Sequence, residues 1–188
     1  MNNDIMVERL KKVGVQFSNG LSGEEIQKIE KTFGFRFPKE IASFLSYAYP
    51  IGPYFFDYRD LSPKNIKAFN DFQQRIKDDF IFDIENNTES IKDMFFSIIG
   101  KNSEKSDLKN VIMTALDKSP RLIPFYAHRC FFDGMDGMPI ISFYQAVDTV
   151  FYGSDFENYL ENEFLNGNNI GTISDQIKNT GIWYLILN

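Results

Sequence analysis

The chain has 188 residues, with 24% of them charged, 20 Phe and 9 Tyr, a composition that suits a folded globular chain and argues against wholesale disorder. Its formal charge of −6 and pI near 4.9 argue against direct binding of nucleic acid or anionic membrane. A lone cysteine, Cys130, leaves no internal disulfide; Met1-Asn-Asn-Asp4 does not open a secretory leader, and no apolar run approaches the roughly 20 residues that span a bilayer, so a cytoplasmic location is expected.

A first helix is expected over residues 4–13, with Ile5, Leu10 and Val13 turned inward. The second is written more plainly. Ser22 and Glu25 have the spacing of a capping box, Leu21 and Ile26 that of a hydrophobic staple, and Ile26, Ile29 and Phe33 recur at helical steps before Gly34. A third helix opens with Pro38 in its first turn, carries Ile41, Phe44, Leu45 and Ala48 on one side, and ends at Pro50, Gly52 and Pro53. Tyr54-Phe-Phe-Asp-Tyr58 reads as a strand or extended segment. Residues 63–82 repeat apolar side chains at steps of three and four through Ile66, Phe69, Phe72, Ile76 and Phe80, which predicts a helix.

Residues 86–119 read as a helical insertion, Ile91 to Ile99 and Leu108 to Leu116, around a polar, mobile tip from Gly100 to Asp107. Beyond Ser119 the pattern turns to strands: Leu122 to Phe132, Ile140 to Tyr144 and Val147 to Tyr152, with Asp-Gly pairs at Asp133 and Asp136 marking the turn between the first two. A second capping box, Ser154 with Glu157, then opens a helix with Phe156, Tyr159, Leu160 and Phe164 inward, and the tail is expected to dock a short apolar segment on the body. With no internal repeat and no long linker, residues 1–188 are expected to form a single α+β domain, a mixed or antiparallel sheet flanked by helices.

Searches for chemistry are nearly empty. There is no Cys and His cluster able to hold zinc, no phosphate-binding glycine loop, and Asp133-Gly-Met-Asp-Gly137 lacks the spacing and closing glutamate of a calcium loop. His128 and Cys130 stand two apart on the expected strand, on one face, but a dyad needs a third group to orient it, and a structural histidine beside a buried thiol is the favoured reading. No catalytic residue, metal or cofactor is expected, and no enzymatic activity.

Charge is distributed unevenly. From Cys130 to Ile177 there is no Lys or Arg, where the chain average would place about five, and the stretch holds eight acids: Asp133, Asp136, Asp148, Asp155, Glu157, Glu161, Glu163 and Asp175. Lying on successive strands, their turn and the next helix, the first seven are the candidate partner-binding residues, a negative surface for a basic protein; the bland reading is a solvated helix face with acids at its amino end. Secondary candidates are Tyr54, Asp57, Tyr58 and Arg59, an aromatic and charged run between two turns, together with His128.

The opening of the chain resembles the SUKH superfamily, which includes the fungal Smi/Knr-type regulators of cell-wall glucan synthesis and many bacterial relatives. The resemblance is carried by an acidic helix ending at Glu30 and Gly34, an apolar-x-apolar step into Pro38, and Phe44-Leu45. It continues through Phe55-Phe-Asp-Tyr-Arg59, Phe82-Asp-Ile-Glu-Asn86, Leu122-Ile-Pro-Phe-Tyr-Ala-His-Arg129, Pro139-Ile-Ile-Ser-Phe-Tyr144 and Val150-Phe-Tyr-Gly153. Where the bacterial branch usually has Trp, this chain has Tyr58 and Met94-Phe-Phe-Ser-Ile-Ile-Gly100. The resemblance implies an α+β fold without catalytic residues, and a non-catalytic immunity protein that binds and neutralises a cognate toxin, often a nuclease, with a basic surface. The alternative it implies is a regulatory scaffold linked to cell-envelope or stress signalling.

Overall fold

Asn2 caps the first helix, α1 (Asn3–Lys12), its side-chain oxygen accepting from the Ile5 N–H at 3.3 Å. The buried side of α1 is Met6, Val7 and Leu10, while Ile5 and Val13 face solvent. That corrects the expected register: at about 100° per residue Met6 lies near 40° from Leu10 but Ile5 near 140°, and Val13 is already past the last turn. The computed structural model from which this is read describes residues 1–99, 104–173 and 175–187.

After a short strand, β1 (Gln16–Asn19), the capping box forms as written: Glu25 N–H to Ser22 Oγ at 3.1 Å and Ser22 N–H to Glu25 Oε2 at 2.8 Å. Helix α2 (Gly23–Phe33) ends at Gly34, whose φ of +69° is the left-handed stop that glycine adopts without a Cβ clash. Helix α3 (Lys39–Tyr47) follows Pro38 and runs directly into β2 (Ala48–Ile51), which pairs antiparallel with β1. Each of these strands has four residues and one contains Pro50, so neither carries a strand pattern.

The long helix α4 (Pro63–Asn86) is capped by Ser62, and α5 (Thr88–Met94), α6 (Phe96–Ile99) and α7 (Lys105–Lys118) pack back against it and one another. Helices thus occupy 88–94, 96–99 and 105–118, the last starting inside the expected 100–107 loop, of which residues 100–103 lie outside the described residues. Four strands follow: β3 (Leu122–Tyr126), β4 (Arg129–Phe132), β5 (Ile140–Phe143) and β6 (Thr149–Gly153), paired antiparallel in that order. Helix α8 (Phe156–Phe164), a 3-10 turn (Asp175–Asn179) and α9 (Ile182–Leu187) close the described chain. The result is a single α+β domain of antiparallel sheets flanked by helices.

The four-stranded sheet is covered on both faces. Ile123, Phe125, Phe131 and Ile140 pack with α1, α2, α3 and α8 in a core rich in phenylalanine; Leu122, Cys130, Phe132, Ile141 and Phe143 pack with α4, α5, α7 and α9 in a more aliphatic one. Trp183 of the tail seals the second core, its indole N–H donating to Pro120 O at 2.7 Å. Strands apolar on both sides read as one continuous run, which hid the break in Leu122–Phe132. That run is two strands around a tight turn at Ala127-His128, with Ala127 at a φ of +50°. The outer edge of β3 is stoppered: Gln73 donates to Leu122 O at 2.8 Å, the Tyr58 hydroxyl donates to Pro124 O, and Phe56 N–H donates to Phe125 O at 3.0 Å. Such an edge offers no template to another chain.

Candidate functional site

An antiparallel sheet reverses direction at every turn, so successive connections alternate between its two ends. The Ala127-His128 turn and the β5–β6 turn (residues 144–148) lie at one end; the start of β3, the 133–139 connection and the amino end of α8 lie at the other. The seven candidate acids are divided by this geometry.

Four of them sit at the second end, and there they serve the fold. Asp133 accepts from the Arg36 N–H at 2.9 Å and pairs with Arg121 at 2.7 Å; Asp136 accepts from the Lys39 N–H at 2.8 Å and meets its ammonium at 2.7 Å. The Lys39 hydrogen bonds hold the Asp136 carboxyl below its usual range. Gly137 N–H completes the clasp on Glu40 at 2.8 Å, so the 133–137 turn is fastened to the start of α3. Asp155 caps α8 by accepting from the Asn158 N–H at 2.8 Å, one residue after the expected Ser154, and Glu157 lies 3.5 Å from the Met1 amino group. Glu161, midway along α8, pairs with Arg9 at 2.8 Å, and even Asp175, outside the set, pairs with Lys178 at 3.0 Å. The linear run of acids thus does not form one negative surface; cations from elsewhere in the chain meet six of the eight.

The first end has a different character. Arg129 opens β4 and turns towards α8, where its Nε donates to Glu163 Oε2 at 2.9 Å and its Nη1 to Ser142 Oγ at 3.1 Å. The guanidinium lies 3.7 Å from the centre of the Tyr152 ring, and both charged side chains are mostly buried, at 11% and 14% exposure. Around this pair are Tyr126, Tyr152, Tyr159 and Phe164. The Tyr159 hydroxyl is buried without a hydrogen-bond partner among the described residues, and burial pushes its pKa well up.

The same end of the sheet carries two exposed rings. Tyr54 is 64% exposed and Tyr144 62%. Tyr54 packs on Tyr126 at 5.9 Å, with the Ala127 N–H donating to Tyr54 O at 2.7 Å, while Tyr144 meets the His128 ring at 6.1 Å. The aromatic side chains therefore wrap over the tip of the β3–β4 hairpin. Beside them a groove of about 350 Å³ runs between Val13, Ile51, Tyr54, Phe55, Tyr126 and Phe164. Asp148 lies exposed in the β5–β6 turn, so this end keeps two of the candidate acids, Asp148 and the paired Glu163.

The secondary candidates divide in the same way. Tyr54 and His128 both lie at the hairpin tip, Tyr54 against Tyr126 and His128 against Tyr144. Tyr58 is only 1% exposed and belongs to the core, so it is unavailable to a partner. Arg59 spends its donors on Glu25 at 3.0 Å, Ser18 at 2.8 Å and Gly20 O at 3.1 Å, and Asp57 accepts from the Tyr49 hydroxyl at 3.1 Å and the Arg59 N–H at 3.0 Å. These residues pin the 57–60 loop to β1 and β2. Arg129, Tyr126, Tyr144 and Tyr152 were missed, because nothing in their sequence separates an exposed ring from a core one until the turn at Ala127 is known.

His128 and Cys130 do not form a dyad. His128 lies in the turn, the thiol points into the second core and donates to the His128 carbonyl at 3.7 Å, and burial pushes the Cys130 pKa up to about 12. Burial, with Arg129 adding to it, lowers the His128 pKa, which favours the neutral ring. Among the described residues no group of three or more His, Cys, Asp or Glu side chains is placed to hold a metal ion, and no helix is long and apolar enough to cross a membrane. Comparison with known proteins gives no matching family model, no matching curated protein and no matching solved structure.

Proposed function

We propose that this chain is a non-catalytic binding protein that neutralises a cognate protein toxin in the cytoplasm, and that the toxin seats on the tyrosine-bearing end of the sheet. The observation that carries the reading is the pair of exposed rings, Tyr54 packed on Tyr126 and Tyr144 against His128, at the end of the sheet that also buries the Arg129–Glu163 pair. Tyrosine brings large contact area at low entropic cost, keeps a polar tip for a hydrogen bond, and is over-represented among residues that dominate binding energy. A ring already packed against a neighbouring ring loses little further freedom on binding, which leaves more of the contact energy for affinity. The resemblance to immunity proteins supplies the class of partner. A basic toxin surface suits this end too, because Lys and Arg stack on tyrosine faces and Asp148 lies exposed nearby.

The test is co-expression with the toxin encoded beside this gene. The wild-type chain is expected to abolish killing and to co-purify with the toxin. A Tyr54→Ala, Tyr144→Ala double variant, folded to the same melting temperature, is expected to lose both; full protection by that variant would overturn the assignment.

A further inference from the structure

The β5–β6 turn that presents Tyr144 and Asp148 is held from below by an unusual residue. Asp83, near the end of α4, is 0% exposed, yet its oxygens are met by N–H donors and not by a cation: Asn87 Nδ2 donates to Oδ1 at 2.7 Å, and the Val147 N–H to Oδ2 at 3.0 Å. Taking a carboxylate out of water costs several kcal/mol even after relaxation, on the order of the stability of a whole small domain. A helix interior has no need of one, since its own backbone bonds are complete without it.

The surroundings make the placement more demanding. One turn earlier on α4, Asp79 has a buried Oδ2 with no hydrogen-bond partner among the described residues, 3.8 Å from the Nε of Arg75. Arg75, Asp79 and Asp83 thus follow one another at four-residue spacing on α4, and the last of them meets the turn. Ala146 enters the second core at 0% exposure between the two outward residues, Tyr144 and Asp148, so the turn is a strap drawn against α4. Thr149 Oγ1 donates to Gln145 O at 2.7 Å and shapes the strap internally, but the Asp83–Val147 bond is what fastens it to the helix.

We infer that Asp83 is a positioning residue, an anchor that joins the α4–α5 corner to the β5–β6 turn and so fixes where Tyr144 and Asp148 stand. The functional half of this inference rests on the binding reading above; the anchoring half does not. The Val147 N–H is only a donor, but the Asn87 amide can flip to present its Oδ1, so Asp83→Asn by itself can keep both bonds, whereas Asp83→Ala leaves the Val147 N–H without its acceptor. Exchanging the pair, Asp83→Asn with Asn87→Asp, restores both bonds in mirror image: the amide on α4 accepts from the Val147 N–H and donates to the carboxylate introduced at the α4–α5 corner.

Amide hydrogen exchange on the full chain tests this. Asp83→Ala is expected to speed exchange in residues 144–148 by about tenfold or more while β3 and β4 stay protected, and the exchanged pair is expected to show wild-type protection of the turn. Unchanged exchange in 144–148, a rise spread equally through β3 to β5, or no rescue by the exchanged pair would each overturn the anchor. Should the single variant fail to fold, rescue is still read from the exchanged pair alone against wild type. Toxin protection, measured in parallel, is expected to fall with Asp83→Ala and return with the exchange. A loosened turn with undiminished protection would leave the anchor standing and sink the binding reading at Tyr144.

Discussion

The two ends of the four-stranded sheet use their side chains in opposite ways. At the end formed by the 133–139 connection and the start of α8, acids are turned onto the protein itself: Asp133 and Asp136 bind backbone N–H groups of the α2–α3 connection, and Asp155 caps a helix. At the end formed by the hairpin tip and the β5–β6 turn, the charge is buried as Arg129–Glu163 and the tyrosines are left outside. A count of charges along the chain favours the first end as a binding surface; a count of unspent contact capacity favours the second. A carboxylate already holding two donors has little left to offer a partner, whereas an exposed ring packed on one neighbour keeps most of its contact area to give.

The strongest way to break the contrast is Arg129→Ala. It leaves Glu163 buried without its cation and removes the guanidinium from the Tyr152 ring, so a loss of about 3–5 kcal/mol, or about 10 °C in melting temperature, is expected by thermal or urea unfolding. A loss under about 1 kcal/mol would show that the pair does not support this end. Asp133→Ala tests the other end and is expected to cost about 1–3 kcal/mol, because the Arg36 N–H and Arg121 both lose their acceptor, with toxin protection retained. Protection lost in a still-folded Asp133→Ala chain would move the interface to that end.

The smallest effect is at Asp79, one turn before Asp83 on α4. Burial raises its carboxyl above the ordinary range; Arg75 opposes this, and the Asp83 and Asp78 charges add to it. The native chain therefore holds that proton to higher pH than the unfolded chain does, and charging Asp79 costs stability as pH rises through the raised pKa. Asp79→Asn is expected to gain about 0.5 kcal/mol, or 1–2 °C, at neutral pH and to lose that advantage below the unfolded pKa of about 3.9. A gain of equal size at both pH values would assign the effect to something other than this charge.

Much of the helical framework was legible because its signals are local. Ser22 with Glu25, Gly34 after Phe33, and the apolar steps from Ile66 to Phe80 each state a helix boundary or face within a few residues. The cap of α8 was displaced by one because Ser154 and Asp155 are both good caps, and only the chain's exit from Gly153 decides between them. The hairpin was hidden for a different reason: strands covered on both faces lose the alternation that marks a strand, and its turn uses Ala127 at positive φ where glycine or asparagine would have announced it. Without that turn the sheet has the wrong number of reversals, and the acids of 133–163 fall on one imagined surface. Arg129 and Tyr144 were unreadable for the same cause, since their place at the sheet's end depends on how often the chain turns back.

The most direct measurement compares toxin affinity for two double variants of the intact chain, one at each end of the sheet. Replacing Tyr54 and Tyr144 by Ala is expected to weaken binding about 100-fold or more, from about 2.7 kcal/mol or greater lost across the two anchors. Replacing Asp155 and Glu157 by Lys is expected to leave affinity within about threefold, a change of under 1 kcal/mol. The reverse ranking, with charge reversal abolishing binding and the tyrosine variant indistinguishable from wild type, would contradict the account.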